Sequence, residues 1–218
     1  MKVTVIDYGL SNLLSVQHAF AHFGAEVQVT SSPADVLAAD ALVLPGVGAF
    51  QDGMQGLEQL GLIEPIKQKT VQGTLLLGIC LGMQMMNTYF LVAEEAERRG
   101  WDRPLLALFE QMKKERYMFT EPVDGHWDGH ITRDNVERFK HPVHVTSGSR
   151  LERLTGKQTI MGASMHNYRI THPAQSLCVA GRTDDGTIEA LEYGEQMLGV
   201  QFHPEADDQN DDLFRVVL

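Results

Sequence analysis

The sequence predicts an α/β fold, in which helices flank a doubly wound, mostly parallel sheet and the C-terminal half is rich in strands. In the first half, short runs of Val, Leu and Ile alternate with helical patterns, which is typical of parallel βαβ units. Beyond residue 142, strand patterns follow one another with turn residues between them, which indicates hairpins.

The first half contains four predicted strands and four predicted helices. Each strand is a short apolar run bounded by Gly, Pro, Ser or Asp, and is therefore expected to be buried; the runs lie at 3–7, 26–30, 41–44 and 74–79. The helical patterns lie at 11–23, 49–60, 62–72 and 81–98. In a sheet of this kind, ligands bind at the carboxyl ends of the strands.

The second half begins with a further helical pattern at 104–116. Residues 117–142 are rich in Gly, His, Asp and Pro without periodicity, which favours a long functional loop. Strands are predicted at 143–146, 159–162, 177–181, 187–193 and 197–202, with hairpin turns at 184–186 and 194–195. We find no internal repeat or low-complexity linker, and so expect residues 1–218 to form one domain.

Composition excludes several classes of protein. Lys and Arg total 18 against 29 Asp and Glu, and the net charge of −11 disfavours nucleic acid as a partner. No basic leader and no apolar run of about 18 residues is present, so we expect a cytosolic protein with no membrane contact. The two cysteines, Cys80 and Cys178, are too few for a disulfide framework. Cys178 lies in an apolar strand pattern and is expected to pack in the core.

Cys80 has the sequence setting of a nucleophile. It stands between Gly78 and Gly82, where an apolar strand pattern gives way to a helical one, as in a nucleophile elbow. The N–H groups at the start of the helix favour a thiolate and stabilise an oxyanion, and Leu81 is expected to supply one of them. The alternative for this segment is a buried structural cysteine beside packing glycines.

A base and its orienting carboxylate are predicted near the other end of the chain. His203 and Glu205 follow a strand pattern and are separated by Pro204. Histidine can accept the thiol proton and later deliver it to a leaving amine, while a carboxylate fixes the histidine tautomer. A His-Pro-Glu tripeptide alone also fits a surface turn, and it is the pairing with the cysteine segment that favours a catalytic role.

Together these motifs resemble those of the class I glutamine amidotransferases, with GICLGMQ at 78–84 and GVQFHPE at 199–205. The first 86 residues are similar to the glutaminase subunits of imidazole glycerol phosphate synthases, on IDYG at 6–9, SNL at 11–13 and LPGVGAF at 44–50. The resemblance implies that Gly46, Val47 and Gly48 contribute an oxyanion N–H and that Gln84 lies near the bound glutamine. Spacing alone equally fits an ordinary tight turn at 45–48.

Residues 141–190 resemble instead the γ-glutamyl hydrolases of the same superfamily, on HPVHV at 141–145, SMH at 164–166 and DGTIEA at 185–190. The chain departs from the synthase subunits in lacking their Gly-Trp-Asn stretch. It departs from the hydrolases in having ASMHNY at 163–168 where they have Asn-Ser-x-His-x-Gln. Either alignment implies that Ser164 and His166 lie near the substrate.

A metal site is conceivable at His126 and His130 with the neighbouring Asp124, Asp128 and Asp134. Gly125 and Gly129 argue against the helix that would place both imidazoles on one face. We therefore expect a solvated loop here, no metal ion and no cofactor.

The sequence thus predicts a glutaminase that cleaves the γ-amide of glutamine with Cys80, His203 and Glu205. Resemblance to the synthase subunits implies a separate (β/α)₈-barrel synthase as the partner that receives ammonia, since the chain has no room for an acceptor domain. The alternatives are a free-standing γ-glutamyl amide or peptide hydrolase and a non-catalytic regulatory relative.

Overall fold

The computed structural model describes residues 2–126, 135–206 and 210–218. These residues form eleven strands: β1 (Lys2–Ile6), β2 (Glu26–Thr30), β3 (Ala41–Gly46), β4 (Leu75–Cys80), β5 (Thr120–Pro122), β6 (Lys140–Val145), β7 (Thr159–Ala163), β8 (Tyr168–Ile170), β9 (Cys178–Arg182), β10 (Ile188–Tyr193) and β11 (Met197–Val200).

The same residues form seven α-helices: α1 (Leu13–His22), α2 (Pro33–Leu37), α3 (Phe50–Gln59), α4 (Ile63–Val71), α5 (Leu81–Arg99), α6 (Leu105–Lys114) and α7 (Arg150–Thr155). Short 3₁₀ helices occupy Val136–Phe139, Pro204–Ala206 and Asp211–Val217. No helix among the described residues is long and apolar enough to cross a membrane.

The central sheet joins both halves of the chain. Its strand order is β2-β1-β3-β4-β11-β10-β9-β6-β7. The first five of these strands pair in parallel, and the remaining pairs are antiparallel. Strand β11 pairs with β4 on one side and β10 on the other, so a strand from the end of the sequence completes the parallel part of the sheet.

Alternating side chains on the strands bury both faces of the sheet. In β3, Val43 packs into the core that contains α1 and the last 3₁₀ helix. Its neighbours Leu42 and Leu44 pack on the opposite face, against residues of α2, α3 and α5. Because strand side chains alternate between faces, the continuous apolar runs predicted as buried strands are covered on both sides, which confirms the α/β fold class.

Several short elements were not predicted, among them α2, α7 and β8. Helix α2 has five residues, too few to show a period, and begins with Pro33 at its first turn. The start of helix α7 could have been recognised in the sequence, because Ser149 is an N-cap residue. Its hydroxyl accepts a hydrogen bond from the N–H of Glu152 at 3.0 Å. Strand β8 has three residues and, within the described part of the chain, pairs with β5 alone.

The predicted loop at 117–142 was partly wrong, since it contains β5, a 3₁₀ helix and the first residues of β6. Residues 127–134 of that loop lie outside the described part of the chain. The prediction for Cys178 was also wrong, because this residue is exposed at the start of β9. Both predicted hairpins are confirmed, with Gly186 and Gly194 at positive φ in their turns.

Candidate active site

Cys80 is held in a strained turn between β4 and α5. Its φ is 53° and its ψ is −108°, and only one other non-glycine residue in the described chain, Arg116, has a positive φ. A backbone conformation this rare for a side-chain-bearing residue persists only where its surroundings enforce it, and it is typical of functional turns. The predicted elbow is therefore present in the fold.

Two glycines allow the helix to approach the sheet at this turn. A Cβ on Gly82 would lie 1.8 Å from the carbonyl oxygen of Leu44 in β3, and a Cβ on Gly78 would lie 2.4 Å from Sδ of Met86. The first of these contacts is with backbone, which cannot move aside without distorting β3. The glycines therefore allow α5 to lie close against β3 and β4.

The residues predicted to supply oxyanion N–H groups have different surroundings. Leu81 is the first residue of α5, where N–H groups have no partner within the helix. Gly46 lies opposite Cys80 in the register of β3 and β4. The N–H of Val47, however, donates to the carbonyl of Leu10 at 2.8 Å and is not free to bind an oxyanion. Among the described residues, the N–H of Gly48 has no backbone acceptor.

His203 and Glu205 form a buried pair. Nδ1 of His203 lies 2.7 Å from Oε1 of Glu205, and both side chains are almost completely buried. Nε2 of His203 has no hydrogen-bond partner in the described part of the chain, so it is the nitrogen available for proton transfer. Although burial opposes the charged form, electrostatic interactions with Glu205 and Cys80 raise the pKa of His203 well above 6.5.

The sheet brings this pair to the nucleophile. Gly199 lies opposite Gly78 in the parallel register of β11 and β4, so His203 and Cys80 both follow the carboxyl ends of adjacent strands. A Cβ on Gly199 would lie 2.7 Å from Cγ of Met83, which explains why the GVQFHPE motif begins with glycine. The N–H of His203 donates to the carbonyl of Ala163 at 2.9 Å, which fixes the backbone of the turn.

Gln201 is a site residue to which sequence reasoning gave no role. Its Nε2 lies 3.5 Å from Sγ of Cys80, and its Oε1 accepts a hydrogen bond from Nε2 of Gln84 at 3.1 Å. The same nitrogen of Gln84 also donates to the carbonyl of Tyr168 at 3.1 Å. Gln84 therefore holds Gln201 in position from α5. The sequence feature that could have identified Gln201 is its position two residues before His203.

Tyr8 is a second residue of the site that was not assigned. A Cβ on Gly46 would lie 1.9 Å from its hydroxyl oxygen, so Tyr8 occupies the space next to the predicted oxyanion turn. Burial and the electrostatic effect of the nearby Cys80 both raise its pKa, and the phenol is neutral at physiological pH. Its place in the IDYG segment was the only sequence signal.

Ser164 and His166 lie in a neighbouring buried cluster. Nε2 of His166 is 3.2 Å from Oε1 of Glu189, and Oγ of Ser164 is 3.2 Å from Nδ1 of His126. His141 completes the group. The solvated loop expected around His126 was wrong for this residue, which is 6% exposed, whereas Asp124 is exposed. His130, Asp128 and Asp134 lie outside the described residues.

The fold and the Cys-His-Glu arrangement are those of the cysteine-dependent α/β amidohydrolases. The family model for class I glutamine amidotransferases matches residues 4–214. The chain belongs to this family.

Curated relatives match almost the whole chain. One, named imidazole glycerol phosphate synthase subunit HisH 1, from Legionella pneumophila strain Paris, is 60% identical over 208 residues, covering 94% of this chain and 92% of the relative. Another, named imidazole glycerol phosphate synthase subunit HisH, from Symbiobacterium thermophilum, is 47% identical over 207 residues, covering 94% and 86%.

Solved structures share the fold at low sequence identity. The glutaminase domain of Trypanosoma brucei CTPS with bound acivicin has a TM-score of 0.66 at 15% identity, covering 99% of this chain and 92% of that one. A structure described as a glutamine amidotransferase has a TM-score of 0.64 at 17% identity, covering 99% and 96%.

Proposed function

We propose that this chain is the glutaminase subunit of an imidazole glycerol phosphate synthase and supplies ammonia for histidine biosynthesis. The relatives that carry this name match the second half of the chain as well as the first. The observation that most directly supports catalysis is the arrangement of Cys80 on its strained turn beside the buried His203–Glu205 pair.

In the first half of the proposed reaction, Cys80 attacks the γ-carboxamide carbon of glutamine. The charge that develops on the amide oxygen is held by backbone donors, for which the candidates among the described residues are the N–H groups of Leu81 and Gly48. His203 then donates a proton from Nε2 to the nitrogen that leaves as ammonia. The product on the protein is a γ-glutamyl thioester of Cys80.

In the second half, water attacks the thioester carbon and His203 accepts its proton. Collapse of the tetrahedral intermediate expels the Cys80 thiolate and releases glutamate. Glu205 keeps Nε2 of His203 directed at the reacting atoms, because its bond to Nδ1 fixes the orientation of the ring. Gln201 and Gln84 hold the sulfur and the pocket wall in place.

The partner is proposed to be a (β/α)₈-barrel synthase subunit that consumes the ammonia. One sheet contains strands from both halves of the chain, which supports the proposal that residues 1–218 act as one domain. The free thiols of Cys80 and Cys178 support a location in the reducing cytosol.

The test is glutamate release by the purified chain, with and without a candidate barrel synthase loaded with its ligand. We expect glutamine turnover to increase at least about tenfold with the loaded synthase, because a partner that binds the turnover-competent state more tightly shifts the chain toward that state. Rapid turnover of γ-glutamyl amides or peptides by the chain alone, unchanged by the synthase, would support the free-standing hydrolase instead.

A further inference from the structure

Four side chains from separate segments converge beside the active site. His126 follows β5, His141 lies in β6, His166 lies between β7 and β8, and Glu189 lies in β10. One potential ligand atom from each lies within 4.8 Å of the others. Three of the four are buried and His141 is half-buried. We call this group the His–Glu cluster.

The distances in the His–Glu cluster approach those around a tetrahedral ion. Oε1 of Glu189 lies 3.2 Å from Nε2 of His166, 3.4 Å from Nδ1 of His126 and 3.7 Å from Nε2 of His141. Ligands at about 2.0–2.1 Å from zinc in a regular tetrahedron are about 3.3 Å apart. Small side-chain rotations would therefore bring the four atoms onto one ion.

The outer nitrogens of two histidines are already occupied. Nδ1 of His166 donates to the carbonyl of Tyr168 at 3.1 Å, and Nε2 of His126 donates to Oδ2 of Asp185 at 3.2 Å. Asp185 is itself held by the N–H and hydroxyl of Thr187, both at 3.0 Å. Metal-binding histidines characteristically donate their second N–H to a carbonyl or a carboxylate in this way.

These outer bonds direct unprotonated nitrogens inward. If each ring is neutral, the inner nitrogens of His126 and His166 carry lone pairs that face the carboxylate oxygen of Glu189. These nitrogens and the carboxylate oxygen are all hydrogen-bond acceptors, so they repel one another unless a cation or an additional proton lies between them. The hydroxyl of Ser164 also lies 3.2 Å from Nδ1 of His126, and it can satisfy only that one nitrogen.

Other polar atoms of the cluster have no hydrogen-bond partner among the described residues. Glu189 is completely buried, and its Oε2 has no hydrogen bond within the described part of the chain. Neither ring nitrogen of His141 has one among those residues. Buried polar groups are rarely left in this condition, and a carboxylate with three imidazoles is a complete ligand set for a transition metal.

We propose that His126, His141, His166 and Glu189 bind one divalent transition-metal ion, with Zn²⁺ as the preferred occupant. Three nitrogen ligands favour zinc over Mg²⁺ and Ca²⁺, which take oxygen ligands. Four protein ligands leave no open position in a tetrahedral site, so the ion is structural rather than catalytic. This proposal departs from the sequence prediction of no metal, which considered only residues near His126 and His130.

The site is connected to the glutaminase machinery through backbone. The carbonyl of Glu189 accepts a hydrogen bond from the N–H of Gln201 at 2.8 Å. The carbonyl of Tyr168, which accepts from His166, also accepts from Gln84. The ion would therefore fix β10 and the 166–168 segment at the positions that support Gln201 and Gln84.

The test uses the full chain, stripped with a chelator and dialysed against metal-free buffer. After addition of Zn²⁺, bound metal is measured by elemental mass spectrometry, and the affinity for Zn²⁺ is measured by calorimetric titration. We expect one zinc ion per chain. With Co²⁺ as the probe, we expect the intense visible absorption of tetrahedral cobalt. The variants Glu189→Gln and His141→Ala are expected to weaken binding at least about 100-fold, because each removes a ligand.

Two controls separate this site from others. His144→Ala removes an exposed imidazole from the same strand as His141 and is expected to retain the ion. Cys80→Ser is also expected to retain it, since the His–Glu cluster does not include Cys80. Loss of the ion in Cys80→Ser but not in His141→Ala would overturn the proposal, as would wild-type chain with no stoichiometric zinc.

Thermal unfolding distinguishes a loss of zinc binding from a failure of the variant to fold. Zn²⁺ should raise the unfolding temperature of the wild-type and His144→Ala chains, because the ion binds only the folded state. Glu189→Gln should show no such rise while keeping a cooperative transition in chelator. An equal rise in Glu189→Gln and wild type would contradict the proposed ligand set.

Discussion

The side-chain amide of Gln201 lies 3.5 Å from the sulfur of Cys80 and joins the two halves of the site. Gln201 follows β11 and Cys80 ends β4, and these strands are adjacent although about 120 residues of sequence separate them. The amide also reaches Gln84 on α5. One buried side chain thus connects the nucleophile, the helix behind it and the strand that leads to His203.

Replacing Gln201 tests this connection. Gln201→Leu removes the contact with Cys80 and leaves Gln84 with one partner fewer, so we expect a loss of about 1–2 kcal/mol in the free energy of unfolding. We also expect kcat/KM for glutamine to fall at least about tenfold, because the sulfur is less well positioned. Urea unfolding and steady-state kinetics measure the two effects. Gln175→Leu, at an exposed position, should change neither.

The charge on His203 predicts a pH dependence of stability. Because Glu205 and Cys80 raise its pKa in the folded state, His203 contributes stability that is fully present below its unfolded pKa of about 6.5. That contribution is lost as the pH rises through the higher folded pKa. Glu205→Gln should move the loss to lower pH, visible in NMR titration of the imidazole and in unfolding measured at several pH values.

The same substitution should reduce catalysis. Without the carboxylate, the ring of His203 is free to take the wrong tautomer, and we expect kcat to fall roughly 100-fold or more. Glu58→Gln, an exposed position on α3, is the matched control. An unchanged imidazole titration and full activity in Glu205→Gln would show that the pair is not functional.

The elbow glycine Gly82 should be intolerant of any side chain. A Cβ there would lie 1.8 Å from the carbonyl oxygen of Leu44, so we expect Gly82→Ala to cost more than about 3 kcal/mol of unfolding free energy. Gly61→Ala places a Cβ in open space at a φ of +65° and should cost only about 1–2 kcal/mol. Similar costs for both variants, measured in urea, would refute the steric explanation.

Much of the fold was predictable because the apolar runs in the sequence are the same segments that the structure buries as strands. Strands of the parallel half are apolar runs whose boundaries in sequence match those in the structure within two residues, as at Glu26–Thr30. The elbow was predictable because close approach of helix to strand requires glycines at Gly78 and Gly82. Short elements such as α2 carry too few residues for periodicity to appear.

What could not be predicted depends on contacts that are distant in sequence. The insertion of β11 between β4 and β10 places Gln201 on Cys80, and no local pattern encodes that pairing. The bond from Val47 to Leu10 likewise depends on how two loops meet. His126 was interpreted from its immediate neighbours, whereas its burial results from His141, His166 and Glu189 in three other segments.

The most direct measurement is glutamate release by Cys80→Ser compared with Cys178→Ser, each assayed with glutamine and the loaded synthase. Cys178 is exposed on β9, away from the elbow, and controls for loss of a thiol. We expect Cys80→Ser to lose at least about 1,000-fold in kcat and Cys178→Ser to match the wild type. A correctly folded Cys80→Ser that retained more than a tenth of wild-type turnover would contradict the assignment of Cys80 as the nucleophile.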